Sequence, residues 1–110
     1  MKLEPIQIVD TLQIAPSEQQ TMLELLRDEG VPILRRAGLE FVSCRSTSPD
    51  LGEDVLIQVT WKVADHAHYN QARFAFVTDP EWREYTGKAS KLWRGGTRRF
   101  FYPSPVEIGA

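Results

Sequence analysis

From Ile6 to Ile14 apolar and polar residues alternate. Ile6, Ile8, Leu12 and Ile14 share one face with Asp10, while Gln7, Val9, Thr11 and Gln13 share the other. A period of two is that of a β-strand with one face on a core. Pro16 ends it. Ser17 and Gln20 then have the spacing of a capping box, and Met22, Leu23, Leu25, Leu26, Ile33 and Leu34 form the apolar stripe of a helix. Gly30 and Pro32 fall inside that helix, so a kink or loosened turn is expected near Val31. Gly38 closes it as a C-terminal glycine.

Leu39 to Ser46 reads as a second strand and Thr47 to Glu53 as a polar turn. Val55, Ile57, Val59 and Trp61 alternate with Leu56, Gln58, Thr60 and Lys62, the strongest strand pattern in the chain. The two strands flank a short turn and are expected to pair as a hairpin. Asp65 to Val77 then reads as a helix, and Pro80 to Trp93 as another. Between them Thr78 or Asp79 can cap free N–H groups, Pro80 suits a first helical position, and Glu81 suits a helix N-terminus. Gly95 and Gly96 are expected to end this second helix. Thr97 to Tyr102 is the predicted last strand, stopped by Pro103-Ser104-Pro105.

The order is β-α-β-β-α-β: an α+β chain of the ferredoxin-like kind, with a broken second helix, in one domain over residues 1–110. Helices cover only one face of such a sheet. The half-apolar opposite face, with Val9, Val42 and Leu56, predicts a homodimer joined there.

Composition narrows the function classes. The net charge is −2, and the strongest basic cluster, Arg94 to Arg99, holds three arginines, too narrow a face for a nucleic-acid binder. No apolar run approaches the roughly twenty residues of a membrane span. Met1-Lys2-Leu3-Glu4-Pro5 lacks the apolar core of a signal peptide, which makes a cytoplasmic location the expectation. Cys44 is the only cysteine, so neither an internal disulfide nor a cysteine metal cluster is available.

Several residues together resemble the NIPSNAP family: Trp61, Phe74-Ala75-Phe76, Asp79-Pro80-Glu81-Trp82 and Phe101-Tyr102-Pro103-Ser104-Pro105, with Ala15-Pro16-Ser17 and Glu29-Gly30-Val31-Pro32. The resemblance spans about Ile6 to Pro105. It implies a dimeric α+β barrel, in which two ferredoxin-like subunits press their sheets together and each keeps a pocket between sheet and helices. That superfamily includes cofactor-free monooxygenases, muconolactone-type isomerases, polyketide cyclases and haem-linked enzymes. The family's first strand usually shows a Glu-x-Arg-x-Tyr alternation, and here those places hold Ile8, Asp10 and Leu12.

Asp10 is the leading catalytic candidate. A carboxylate among inward isoleucines is either paired, with Arg73 a candidate partner, or raised in pKa and usable as a base. His68 is the second candidate, for proton transfer or as a haem ligand, because it lies one turn before Ala72. His66 and His68 stand two apart, a poor spacing for gripping one metal, and no metal site is expected. Trp61, Tyr69, Arg73, Phe76, Trp82 and Tyr85 are the candidate substrate-binding residues, as aromatic walls with a few polar tips. The function expected is a small cofactor-independent enzyme that removes a proton from a hydrophobic, aromatic or polyketide-like molecule. The alternatives are a non-catalytic dimeric binding or adaptor domain and a haem-binding enzyme.

Overall fold

A computed structural model describes residues 5–109, so the expectation placed on Met1 to Glu4 lies outside it. Four strands, β1 (Ile6–Ile14), β2 (Glu40–Ser46), β3 (Val55–Val63) and β4 (Trp93–Phe101), form one antiparallel sheet in the order β2-β3-β1-β4. The helices α1 (Gln19–Leu25), α2 (Val31–Ala37), α3 (His66–Val77) and α4 (Pro80–Ala89) complete a ferredoxin-like α+β fold. The alternation in β1 and β3 works as read. Ile8, Ile14, Val55, Ile57 and Trp61 are fully buried, whereas Gln7, Gln13, Leu56 and Gln58 are exposed.

Between α1 and α2 the helix widens into one π turn, Leu26–Gly30. Pro32 has no N–H to offer the carbonyl of Asp28, and its ring would press on that carbonyl in a regular turn. The chain instead lets Val31 N–H reach back five residues to the carbonyl of Leu26. Gly38 ends α2 with φ +114°, a left-handed conformation that glycine adopts without strain, and Leu39 N–H then donates to the carbonyl of Leu34.

Of the two expected caps, the one at the helix break forms and the one at Ser17 does not. Ser17 sits in a 3-10 turn, Pro16–Glu18, with no side-chain cap bond, because the helix proper begins two residues later at Gln19. At the helix break Asp79 is the cap, accepting from the N–H of Glu81, while the Thr78 hydroxyl donates back to Phe74 and Ala75 carbonyls. Arg36 at the end of α2 grips both Asp79 (3.1 Å) and Glu81 (2.7 Å), pinning the corner between α3 and α4.

The largest departure lies at the end of α4. The helix stops at Ala89 rather than running to Trp93, and β4 begins at Trp93 rather than Thr97. Gly95 and Gly96 are strand residues: they pair with Gln13 and Leu12 of β1. An extra residue, Arg94, bulges between the Gln13–Gly95 and Ile14–Trp93 pairs and reaches Asp54 at 2.7 Å. Glycine here permits close approach to β1, since a Cβ on Gly95 would stand 3.0 Å from the Gln13 Oε1.

Candidate active site between sheet and helices

A cavity of about 510 Å³ lies between the sheet and the helices, within the size range of small-molecule sites. The sheet contributes Asp10 and Leu12 from β1, Val59 and Trp61 from β3, and the run Trp93 to Arg98 from β4. Leu26, Leu34, Trp82 and Tyr85 close it from the helix side. Its exposed lining residues, Ser90, Arg94, Gly96 and Thr97, mark the mouth along β4. The protein's three tryptophans all face it.

One ion pair stands in this apolar wall. Asp10 and Arg98 are register partners on β1 and β4, and Arg98 donates from Nε (2.6 Å) and from Nη2 (2.8 Å) to the two carboxylate oxygens. The guanidinium also lies 5.6 Å from the Phe76 ring centre and donates at 3.4 Å to the Tyr69 hydroxyl. Burial opposes the charge on Arg98, but the bonds and charge of Asp10 outweigh it and hold its pKa above the ordinary guanidinium value. Tyr85 is 4% exposed; burial pushes its phenol pKa up, with the Asp10 charge adding to the effect and Arg98 partly offsetting it.

Tyr85 is placed by the π turn. Gly30 faces it so closely that a Cβ there would lie 2.8 Å from the Tyr85 Cζ and 2.9 Å from its hydroxyl oxygen. Trp82 then sits between Phe76 (ring centres 4.7 Å apart) and Tyr85 (5.5 Å) with the rings tilted, so one aromatic row joins α3 to α4.

A model of the NIPSNAP family matches residues 9–106, nearly the whole described chain. The chain belongs to the NIPSNAP family. Among solved structures, a NIPSNAP domain protein from Burkholderia xenovorans is 19% identical with a TM-score of 0.77, over 94% of this chain and 99% of that one. A NIPSNAP family protein from Agrobacterium tumefaciens is 20% identical with a TM-score of 0.80, over 97% and 92%. More distant is a monooxygenase from Streptomyces coelicolor, in complex with nanaomycin D: 21% identity and a TM-score of 0.61 over 96% and 93%. These likenesses show the fold. No curated protein matches the sequence.

In this NIPSNAP chain the structure brings together Asp10, Trp61, Trp82 and Tyr85 on the cavity wall, with Tyr69 and Phe76 directly behind Arg98. Two expected residues lie elsewhere. Arg73 is exposed on α3, and the partner of Asp10 is Arg98 instead. His68 does not look inward: its side chain is 62% exposed, and its Nδ1 lies 2.7 Å from Asp65, the cap of α3. His66 is likewise exposed and meets the Tyr102 hydroxyl. Among the described residues no group of side chains is arranged to hold a metal ion, and no helix is long and apolar enough to cross a membrane.

Arg98 and Trp93 were not anticipated. The signal for Arg98 was present: with Phe100 it alternates against Arg99 and Phe101, and the half-buried pair points inward. Trp93 was hidden by reading the glycine pair as a helix end.

Proposed function

We propose that the protein is a small cofactor-independent enzyme, working as a cytoplasmic homodimer, that binds a hydrophobic, aromatic or polyketide-like molecule and removes a proton from it. Cyclisation, isomerisation or attack by dioxygen would follow from the carbanion. The observation that carries this reading is a single carboxylate, Asp10, fixed by Arg98 in a largely apolar cavity of ligand size. Arg98 takes one lone pair on each oxygen, and each keeps another that can accept a proton. A carboxylate is a weak base in any setting, so the substrate proton must be acidic, next to a carbonyl. The same guanidinium and the Tyr85 hydroxyl suit the enolate oxygen that forms. The likeness in fold to monooxygenases supports the class of chemistry.

The saturation of Asp10 by Arg98 favours a second reading, a binding domain without turnover. β-Tetralone, a flat ketone with acidic carbon-bound protons, separates the two. Tryptophan fluorescence reports occupancy, and proton NMR in heavy water reports exchange at the carbon beside the carbonyl. Exchange faster than in buffer, lost in Asp10→Asn with binding retained, is the expected result. Saturable binding without accelerated exchange would leave the non-catalytic reading in its place.

A further inference from the structure

The polar groups that the cavity leaves unpaired are of one kind. The indole Nε1–H groups of Trp61 and Trp93 are buried and have no hydrogen-bond partner among the described residues. Trp61 is fully buried, and both side chains line the cavity. Buried donors are almost always satisfied in folded proteins, so two on one cavity wall mark groups that a bound molecule completes. Tyr85 also lines the cavity. All three side chains are neutral. Asp10 cancels the charge of Arg98, and Asp54 holds Arg94 at the mouth.

We infer that the cavity takes a neutral, flat molecule whose carbonyl or ether oxygens accept from the Trp61 and Trp93 indoles. The inference rests on the cavity being the binding site proposed above, and it specifies the ligand's chemistry. An anion is disfavoured, since both cavity arginines already have carboxylate partners. A pure hydrocarbon is disfavoured too, because it would leave both indole donors dry and unpaired. Register fixes the spacing. Trp61 is opposite Ile8 and Trp93 opposite Ile14, six residues apart on β1 and so roughly 20 Å between backbones, which long side chains then narrow. The two tryptophans therefore border the cavity towards its two ends, with Asp10 and Arg98 between them in register. An elongated molecule with oxygen at both ends of an apolar body fits that layout. An enolisable carbon in its middle would lie beside Asp10.

Three probes of one shape test the assignment: fluorenone, with a carbonyl; fluorene, with none; and fluorene carboxylate, with a charge. Each is titrated against the intact protein while the three indole N–H signals are followed by nitrogen-edited NMR. Fluorenone is expected to move the Trp61 or Trp93 indole signal downfield and slow its exchange with water, and fluorene to do neither. Trp61→Phe and Trp93→Phe keep an aromatic ring but remove a donor. The variant at the shifted indole is expected to lose about tenfold in fluorenone affinity, one hydrogen bond's worth, with fluorene binding unchanged. Fluorene binding as tightly as fluorenone, with both indole signals unmoved, would overturn the donor assignment while leaving the cavity as a binding site. The carboxylate binding tightest would overturn it also. Failure of all three to bind would remove the cavity reading itself.

Discussion

Asp10 and Arg98 face each other across β1 and β4 and close into a two-bond ion pair of 2.6 and 2.8 Å, half sheltered by Phe76 and Tyr69. The side chains are only 16% and 27% exposed, so removing one partner strands a charge in a poorly hydrated place. Asp10→Asn is expected to cost about 2–3 kcal/mol in chemical denaturation, and Arg98→Ala a similar amount. The combined Asp10→Leu and Arg98→Met variant, with no charge left to strand, should lie within about 1 kcal/mol of wild type. Additive losses in the double variant would show that the two side chains are not coupled.

Gly30→Ala reverses the usual rule for helices. Alanine ordinarily favours a helix by about 1 kcal/mol over glycine. Here its methyl would stand 2.8–3.0 Å from three atoms of the Tyr85 side chain, closer than real Cβ contacts come. We expect a loss of about 1–3 kcal/mol, the range for overpacking, and relief of that loss when Tyr85→Val is added. Thermal melting of the four proteins completes the cycle, and a stabilised Gly30→Ala single variant would refute the contact.

Tyr85 gives the protein an alkaline limit. Its folded pKa lies above the ordinary value of 10, so the folded chain holds a proton that the unfolded chain releases. The sign follows: this contribution is complete below pH 10 and is lost as the pH rises beyond it. Lys88, raised by its bond to Glu29, changes stability in the same direction. The difference between wild type and Tyr85→Phe isolates the tyrosine. Urea titrations above pH 10 should show wild type losing stability more steeply than the variant.

The proposed dimer would join through the outer sheet face. Val42 and Leu56 are each 42% exposed there and Phe101 51%, an apolar surface that the helices do not reach. Light scattering at micromolar concentration is expected to give a dimer mass, and Leu56→Asp, which brings like charges together across a two-fold axis, a monomer. A monomer mass for wild type would end this expectation.

Strand and helix order was legible because β1 and β3 alternate without interruption and because Pro16, Gly38 and Asp79-Pro80 punctuate the chain at real boundaries. The loosened turn near Val31 was legible too, since proline's missing N–H has few other solutions. The end of α4 was not. A glycine pair after a helical pattern ordinarily signals termination, and nothing local reveals that Gly95 and Gly96 pair with Gln13 and Leu12 of β1. That misreading hid Trp93. Cross-strand pairing decided the partner of Asp10, and pairing over 88 residues of chain is invisible to a local pattern. His68 was misplaced for the opposite reason: a local bond to its own helix cap outweighed the helical phase.

Gly96 pairs with inward-facing Leu12, and a Cβ placed on it would meet Leu12 and the Thr11 carbonyl at an ordinary 3.5 Å. The missing side chain is therefore not demanded by its immediate neighbours. Its absence leaves the mouth as wide as it is. One backbone position thus acts as an aperture: each carbon added there would narrow the opening without disturbing the sheet. Chains that differ only at this residue would sort molecules by girth while keeping the same interior chemistry.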